Sequence, residues 1–243
     1  MAEASDILFS NRPDEAWGLY QAQGYFIETG IFSSDECSRL IEAGEGLAEQ
    51  LQGSSRRPLM HPHLHSTIFL EAMRKPRLVE IMRRLCGGPV AGLQSEFFIC
   101  VPGTKGFAPH QDNHFVEAPV GTFASAWAAL VDIGPENGGL YAYPASHRLG
   151  LLDVVDTAID VGANQDPNAA ARRAVVPDPI VPVGLVIPRG SVVLLHGMVA
   201  HGSYDNGTAE PRYALLNTYI EERASFRPGH YARREKVDMG AIS

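Results

Sequence analysis

From residue 90 onward the chain is cut into short runs of β-forming residues, and this pattern limits its fold more than any other feature. QSEFFICV (94–101), FASAWAALVDI (123–133), GSVVLLHG (190–197) and RYALLNTYI (212–220) lie between Gly and Pro punctuation. PENGG (135–139) is a turn cluster between two of them. No helix of convincing length separates these runs, which disfavours a parallel α/β sheet. Many short strands with Gly/Pro turns favour a sandwich or jelly roll, mainly β with flanking helices.

The first 90 residues read differently. Ser33-Ser34-Asp35-Glu36 has the spacing of a capping box, with Ser33 as cap and Glu36 three positions on. Leu40, Ile41, Gly44, Leu47, Ala48 and Leu51 then follow a helical stripe. A second stripe through Leu78, Val79, Ile81, Met82 and Leu85 stops at Gly87-Gly88-Pro89. A chain of 243 residues with this pattern is expected to be one domain, 1–243. Residues 1–90 would be a mostly helical elaboration, 91–222 the jelly-roll core and 223–243 a C-terminal tail. The irregular stretch 151–182 within the core is too long for a plain connection and is expected to be a lid.

Net charge is −8, which excludes a general nucleic-acid or anionic-membrane binder. The three cysteines, Cys37, Cys86 and Cys100, have neither CxxC spacing nor a disulfide framework. The N-terminus carries early acids and lacks the apolar segment of a signal peptide, and no apolar run approaches a membrane span. The expected setting is the cytoplasm.

Chemistry concentrates in GFAPHQDNHF (106–115). On an extended segment, His110 and Asp112 would share a face and could grip one cation. Two imidazoles and one carboxylate on one face of a metal leave three positions open, the arrangement of non-haem Fe(II) oxygenases. His147, His196, His201 and His230 are candidates for the second imidazole. His201 opens HGS, and Arg212 follows 11 residues later at the start of a strand. On a strand adjoining HGS, its guanidinium fork would bind a carboxylate beside the metal.

The order HxD, a long gap, HGS and then Arg resembles the phytanoyl-CoA dioxygenase family. GYFIETGIFSSDECSRLIEAG (24–44), ENGGLYAYPASHR (136–148) and GSVVLLHGMVAHGS (190–203) are similar to family segments in the same order. PASH departs from the family's usual PGSH. The resemblance implies a double-stranded β-helix, cupin-like, with Fe(II) as metal and 2-oxoglutarate and dioxygen as cosubstrates. It implies iron ligands at His110, Asp112 and His201. Arg212 and Ser203 would hold the distal carboxylate of 2-oxoglutarate, Phe107 and Trp127 would line it, and Gln94 is a further polar contact. Related halogenases have a small residue at the place of Asp112, so the carboxylate here favours hydroxylation or another oxidation.

Asn113, His114 and Phe115 follow the metal pair and are expected to face a small-molecule substrate. His196 also precedes a glycine, but HGS and the arginine spacing favour His201. His61, His63 and His65 alternate in MHPHLHS without a carboxylate nearby. Two other functions fit parts of the pattern: a metal-binding cupin without redox chemistry, as an isomerase or ligand sensor, and an acyl-CoA hydroxylase of the same family. A carboxylate clamp at Arg212 and Ser203 discriminates against the first. The acidic chain, with no basic groove for a CoA tail, leans against the second. Oligomeric state is not legible.

Overall fold

The computed structural model describes residues 7–53, 57–157, 172–230 and 233–240. The chain opens with α1 (Pro13–Gln23) and β1 (Tyr25–Glu28). The next helix, α2 (Ser34–Gln52), starts at the expected capping box: Ser33 Oγ accepts the Glu36 N–H, and the Glu36 carboxylate accepts the Ser33 N–H. Its buried face is Cys37, Leu40, Gly44, Leu47 and Ala48. Leu51, the last residue of the expected stripe, is 49% exposed. Then come β2 (Leu59–Met60), α3 (Thr67–Met73) and α4 (Pro76–Leu85), the last being the second expected helix.

The β core follows as β3 (Val90–Cys100), the short α5 (Asn113–Val116), β4 (Phe123–Ala129) and β5 (Leu140–Ala142). Next are β6 (Val154–Asp156), β7 (Arg172–Ala174), β8 (Val183–Gly184), β9 (Val192–His196), β10 (His201–Ser203) and β11 (Arg212–Glu221). A six-stranded sheet has the order β1-β9-β4-β11-β3-β2, and a three-stranded sheet the order β10-β5-β8. Every pairing in both is antiparallel, as a jelly roll requires. The strands β6 and β7 pair as a ribbon on either side of 158–171, and that middle part of the expected lid lies outside the described residues.

Side chains alternate across the large sheet. Phe97 and Ile99, Ala124, Ala126 and Ala128, Val192 and Leu194, and Leu215 join the core beneath α2, α3 and α4. The residues between them, Phe98 and Cys100, Trp127 and Ala129, Val193 and Leu195, and Ala214, turn the other way. There they meet Leu140, Leu185 and Ile187 from the side of the small sheet. The space between the two sheets is where the polar residues of interest collect.

Candidate metal centre

His110 and His201 face each other as an isolated antiparallel bridge. The His110 N–H donates to His201 O at 2.8 Å, and the His201 N–H donates back to His110 O at 3.0 Å. Directly opposed residues carry their side chains side by side, and the imidazole centroids are 4.4 Å apart. Asp112 completes the group, its Oδ1 lying 3.5 Å from His110 Nε2 and 3.7 Å from His201 Nε2. One donor atom from each of the three lies within 4.8 Å of the others, and no other such group of His, Cys, Asp or Glu occurs among the described residues.

The expected geometry at Asp112 is wrong in one respect. The segment is not extended there: Asp112 has φ −58° and ψ −37° and stands at the N-cap of α5. Convergence comes from the chain turning into that helix immediately after the bridge. Gln111 holds the turn. Its buried amide donates to Gly150 O at 2.8 Å and Met198 O at 2.6 Å, and accepts the Leu152 N–H at 2.7 Å.

The protonation states suit a cation. His110 Nδ1 donates to Ala108 O at 2.8 Å and His201 Nδ1 to Val199 O at 3.1 Å. A carbonyl can only accept, so the proton sits on Nδ1 and the Nε2 lone pairs face the centre. Burial, with His110 nearby, pushes His201 down to about 4. Burial alone would raise Asp112. The His201 and His110 imidazoles and the Ser125 hydroxyl, donating to Oδ2 at 2.5 Å, outweigh it and hold the carboxyl well below its usual range. Burial lowers His110, but the neighbouring Asp112 carboxylate outweighs it and raises the imidazole; a divalent cation would displace that proton and find two imidazole lone pairs and one carboxylate.

Arg212 shows the second half of the site. It was expected on a strand adjoining HGS. It lies instead on β11 of the large sheet, across the cavity from β10, because residues 204–211 carry the chain from one sheet to the other. The residue is 3% exposed; its guanidinium sits 5.4 Å over the Trp127 ring and donates from Nη2 to Gly138 O at 2.9 Å. Its Nε is buried without a partner, and no carboxylate of the described residues forms an ion pair with it. A buried guanidinium without a counter-ion is costly and fits a bound carboxylate. Ser203 is 7% exposed, and its Oγ accepts the Phe107 N–H at 2.9 Å, leaving the hydroxyl proton to donate elsewhere. The Phe107 ring is 6.0 Å from that of His110.

A profile of the phytanoyl-CoA dioxygenase (PhyH) family matches residues 20–214. The chain belongs to the phytanoyl-CoA dioxygenase family. Membership makes it an oxidoreductase of the dioxygenase type. The mouse phytanoyl-CoA dioxygenase domain-containing protein 1 is 28% identical over 214 residues, 85% of this chain and 68% of that protein. The L-proline trans-4-hydroxylase of Streptomyces griseoviridis is 28% identical over 240 residues, 88% of each chain. The same jelly roll is seen in the epimerase SnoN in complex with Fe3+, alpha ketoglutarate and nogalamycin RO (TM-score 0.74, 20% identity, 94% and 96% covered). It recurs in EvdO2 of Micromonospora carbonacea complexed with 2-oxoglutarate (TM-score 0.72, 18% identity, 91% and 94% covered).

Other expected residues scatter more. Gln94 lies on β3 opposite Thr218, which also faces Ser125. It is therefore level with the Asp112–Ser125 hydrogen bond and three side-chain rows from Cys100, the partner of Arg212. Asn113 does not present its amide to the cavity: the group closes on the Ala118 N–H and C=O, both at 2.9 Å. His114 and Phe115 do reach the mouth, lining a cleft with His110, Gln111, Val154, Arg172 and Ala174. The bypassed His196 points out of the cavity toward His147 and Tyr20. His63 hydrogen-bonds Ser95 Oγ at 2.6 Å. Sequence reasoning missed Ser125, although it precedes Trp127 by two on one strand and so had the parity to be found. It also missed Gln111, whose side chain bonds only backbone groups, and Gly138, which acts through its carbonyl; neither leaves such a signature.

Proposed function

We propose that this protein is a non-haem Fe(II)- and 2-oxoglutarate-dependent dioxygenase that oxidises an unactivated C–H of a small metabolite or natural-product intermediate. The observation that carries this reading is Arg212, a buried cation without a counter-ion among the described residues, on the same cavity as the His110–Asp112–His201 group. A metal-binding cupin without an oxo-acid cosubstrate has no need of such a group. The relative that acts on proline, aligned over 88% of both chains, supports a small substrate.

In this reading His110, Asp112 and His201 hold iron on one face. Iron with 2-oxoglutarate and dioxygen supplies the oxidant, so that R–H, 2-oxoglutarate and O2 give R–OH, succinate and CO2. Arg212 takes the distal carboxylate of the cosubstrate in its fork, and Ser203 donates its hydroxyl proton to it. Trp127 fixes the guanidinium plane from one side, and Gly138 O fixes one corner. Phe107 keeps water from the inner end. Ser125 holds Asp112 Oδ2 so that Oδ1 stays with the imidazoles. His114 and Phe115 face the substrate. The described flanks of the expected lid, 151–157 and 172–182, stand at the mouth; this is supported by the β6–β7 ribbon, whose Ala174 N–H donates to Pro109 O at 2.7 Å beside the ligand His110.

Anaerobic addition of Fe(II) and 2-oxoglutarate is expected to give a weak visible charge-transfer band that His201→Ala abolishes. A wild-type protein without the band would overturn the cofactor assignment. Succinate release screened over a metabolite panel then reads out the substrate.

A further inference from the structure

The segment after β11 lies beyond the residues that match the family, 20–214. Its described parts, 222–230 and 233–240, fold back over two elements of the core. Val237 exchanges both backbone hydrogen bonds with Gly92 of β3, at 2.8 and 2.9 Å, and Met239 is 6% exposed. Arg74 Nε donates to Asp238 O at 2.9 Å. Lys236 Nζ ties the return together by donating to Glu222 O at 2.6 Å and Ala224 O at 2.9 Å. Ala224 and Phe226 pack on the apolar cluster that contains Val116 and Ala118.

The second element is α5. A helix leaves its last four carbonyls without partners of its own. In this one-turn helix Asn113 O takes the Glu117 N–H, and the other three carbonyls are met by the returning segment. Arg227 Nη2 donates to His114 O at 3.1 Å, Arg227 Nε to Phe115 O at 3.2 Å, and the Arg227 N–H to Val116 O at 2.6 Å. Arg234 Nη1 adds a second donor to Phe115 O at 3.3 Å. The remaining guanidinium nitrogen, Arg227 Nη1, pairs with Glu117 at 2.9 Å. Glu117 ends the helix with φ 54°, a left-handed conformation that a non-glycine residue keeps only where its surroundings hold it. The Arg227–Glu117 pair is about half exposed and contributes little by itself. The carbonyl contacts and the packing of Ala224 and Phe226 carry the attachment.

What stands on this turn gives the attachment its consequence. Asp112 is the N-cap of α5, so the carboxylate of the metal group lies at one end and Arg227 closes the other. His114 and Phe115, whose carbonyls Arg227 takes, line the cleft at the mouth. A single helical turn is not stable alone, so its orientation follows whatever holds its ends. We propose that the segment after β11 is a strap that positions α5, with Arg227 as the positioning residue for Asp112 and for the His114–Phe115 wall of the mouth. The proposal rests on the reading of Asp112 as a metal ligand and adds what keeps that ligand in place.

The test compares full-length wild type with Arg227→Met, which keeps the stem and removes the side-chain donors. In the metal-free proteins, amides of 113–117 are expected to exchange with deuterium about 10-fold faster in the variant, the scale of one hydrogen bond from a charged group. Amides of α4 and β11 should keep their rates. Anaerobic Fe(II) titration is expected to show about 10-fold weaker binding, the low end for groups that hold a metal ligand in place. The visible band of the Fe(II)–2-oxoglutarate complex should move in energy as well as lose intensity. Arg227→Lys, which keeps one donor, should recover part of each change. Phe97→Ala, in the helix-covered core, serves as the control for lost stability and should leave the band energy in place. Wild-type exchange in α5 of Arg227→Met overturns the strap. Faster exchange with iron affinity and band unmoved, or the same band shift in Phe97→Ala, overturns the positioning role. Should Arg227→Met fail to fold, Arg227→Lys and Arg234→Gln carry the same test with smaller changes in the same direction. A wild type that binds no Fe(II) removes the reading of Asp112 before any variant is compared, and the exchange rates still decide whether Arg227 holds the turn.

Discussion

The two faces of the six-stranded sheet are made from the same strands, one residue apart, and they solve different problems. The helix-covered face carries Phe97, Ile99, Ala126, Leu194 and Leu215 and is nearly all apolar. The cavity face carries Gln94, Glu96, Ser125, Trp127, Arg212 and Thr218 on the neighbouring positions. Burial is almost equal: Phe97 is 0% exposed and Arg212 3%. Satisfaction is not: Gln94 Oε1 and Arg212 Nε on the cavity face are buried without partners among the described residues, against Asn217 Oδ1 on the helix-covered face. One face stores stability in close packing. The other holds polar groups whose partners arrive from outside the chain.

This contrast breaks first at Phe97. Its ring packs on Phe69 at 5.6 Å, and a Cβ on Gly44 of α2 would lie 2.2 Å from it. Phe97→Ala is expected to cost about 3–5 kcal/mol of stability in a urea titration, from lost transfer energy plus the cavity left behind. The affinity of the remaining folded protein for 2-oxoglutarate should stay unchanged. A large change in affinity would mean that the faces are mechanically coupled and the division is false.

Arg212→Met is the converse. It removes a buried charge without a counter-ion and keeps much of the volume over Trp127. Unliganded, the variant is expected to be as stable as wild type or more so, because a lone buried cation opposes folding. Its affinity for 2-oxoglutarate should fall by about 100-fold or more. Iron content, measured by metal analysis after reconstitution, should hold. Equal loss of iron and cosubstrate would make Arg212 a structural residue.

How much of this the sequence announces follows from the same two faces. The apolar face is periodic, so α2, α4 and the long strands are legible from Ser33–Glu36, Leu78–Leu85 and the β-rich runs. The metal group is legible because HxD, HGS and the later arginine keep a fixed order. What escaped is nonlocal. Nothing around Val237 shows that it will pair with Gly92 and bring residues 233–240 back onto β3. The sheet exchange between Ser203 and Arg212 leaves no mark in an 11-residue spacing, which a simple hairpin would also allow. Asn113 misled because an amide beside a metal ligand suggests substrate contact, whereas the turn to Ala118 consumes it.

The smallest effect sharpens the contrast at a polar exception on the helix-covered face. Ser95 lies between Gln94 and Glu96 on β3 and so turns away from the cavity. It is fully buried and meets His63, which is 7% exposed, at 2.6 Å. Here the chain itself supplies the partner, and the group is expected to act on stability rather than on binding. Burial, then the neighbouring His61 and His65, push the His63 imidazole down to about 4. In the unfolded chain it titrates near 6.5. Between these values the unfolded state holds the extra proton, so stability is full above pH ~6.5 and falls as pH drops toward 4. His196, pushed down to about 4 by burial and His147, adds a second proton to the same window. Melting temperature measured from pH 7 to pH 4 should therefore decline, and His63→Gln, which keeps a hydrogen-bonding group but does not titrate here, should make the decline shallower without abolishing it. An unchanged slope in His63→Gln would mean that His63 takes up its proton in the folded state, and that the Ser95 contact is too loose to exclude it.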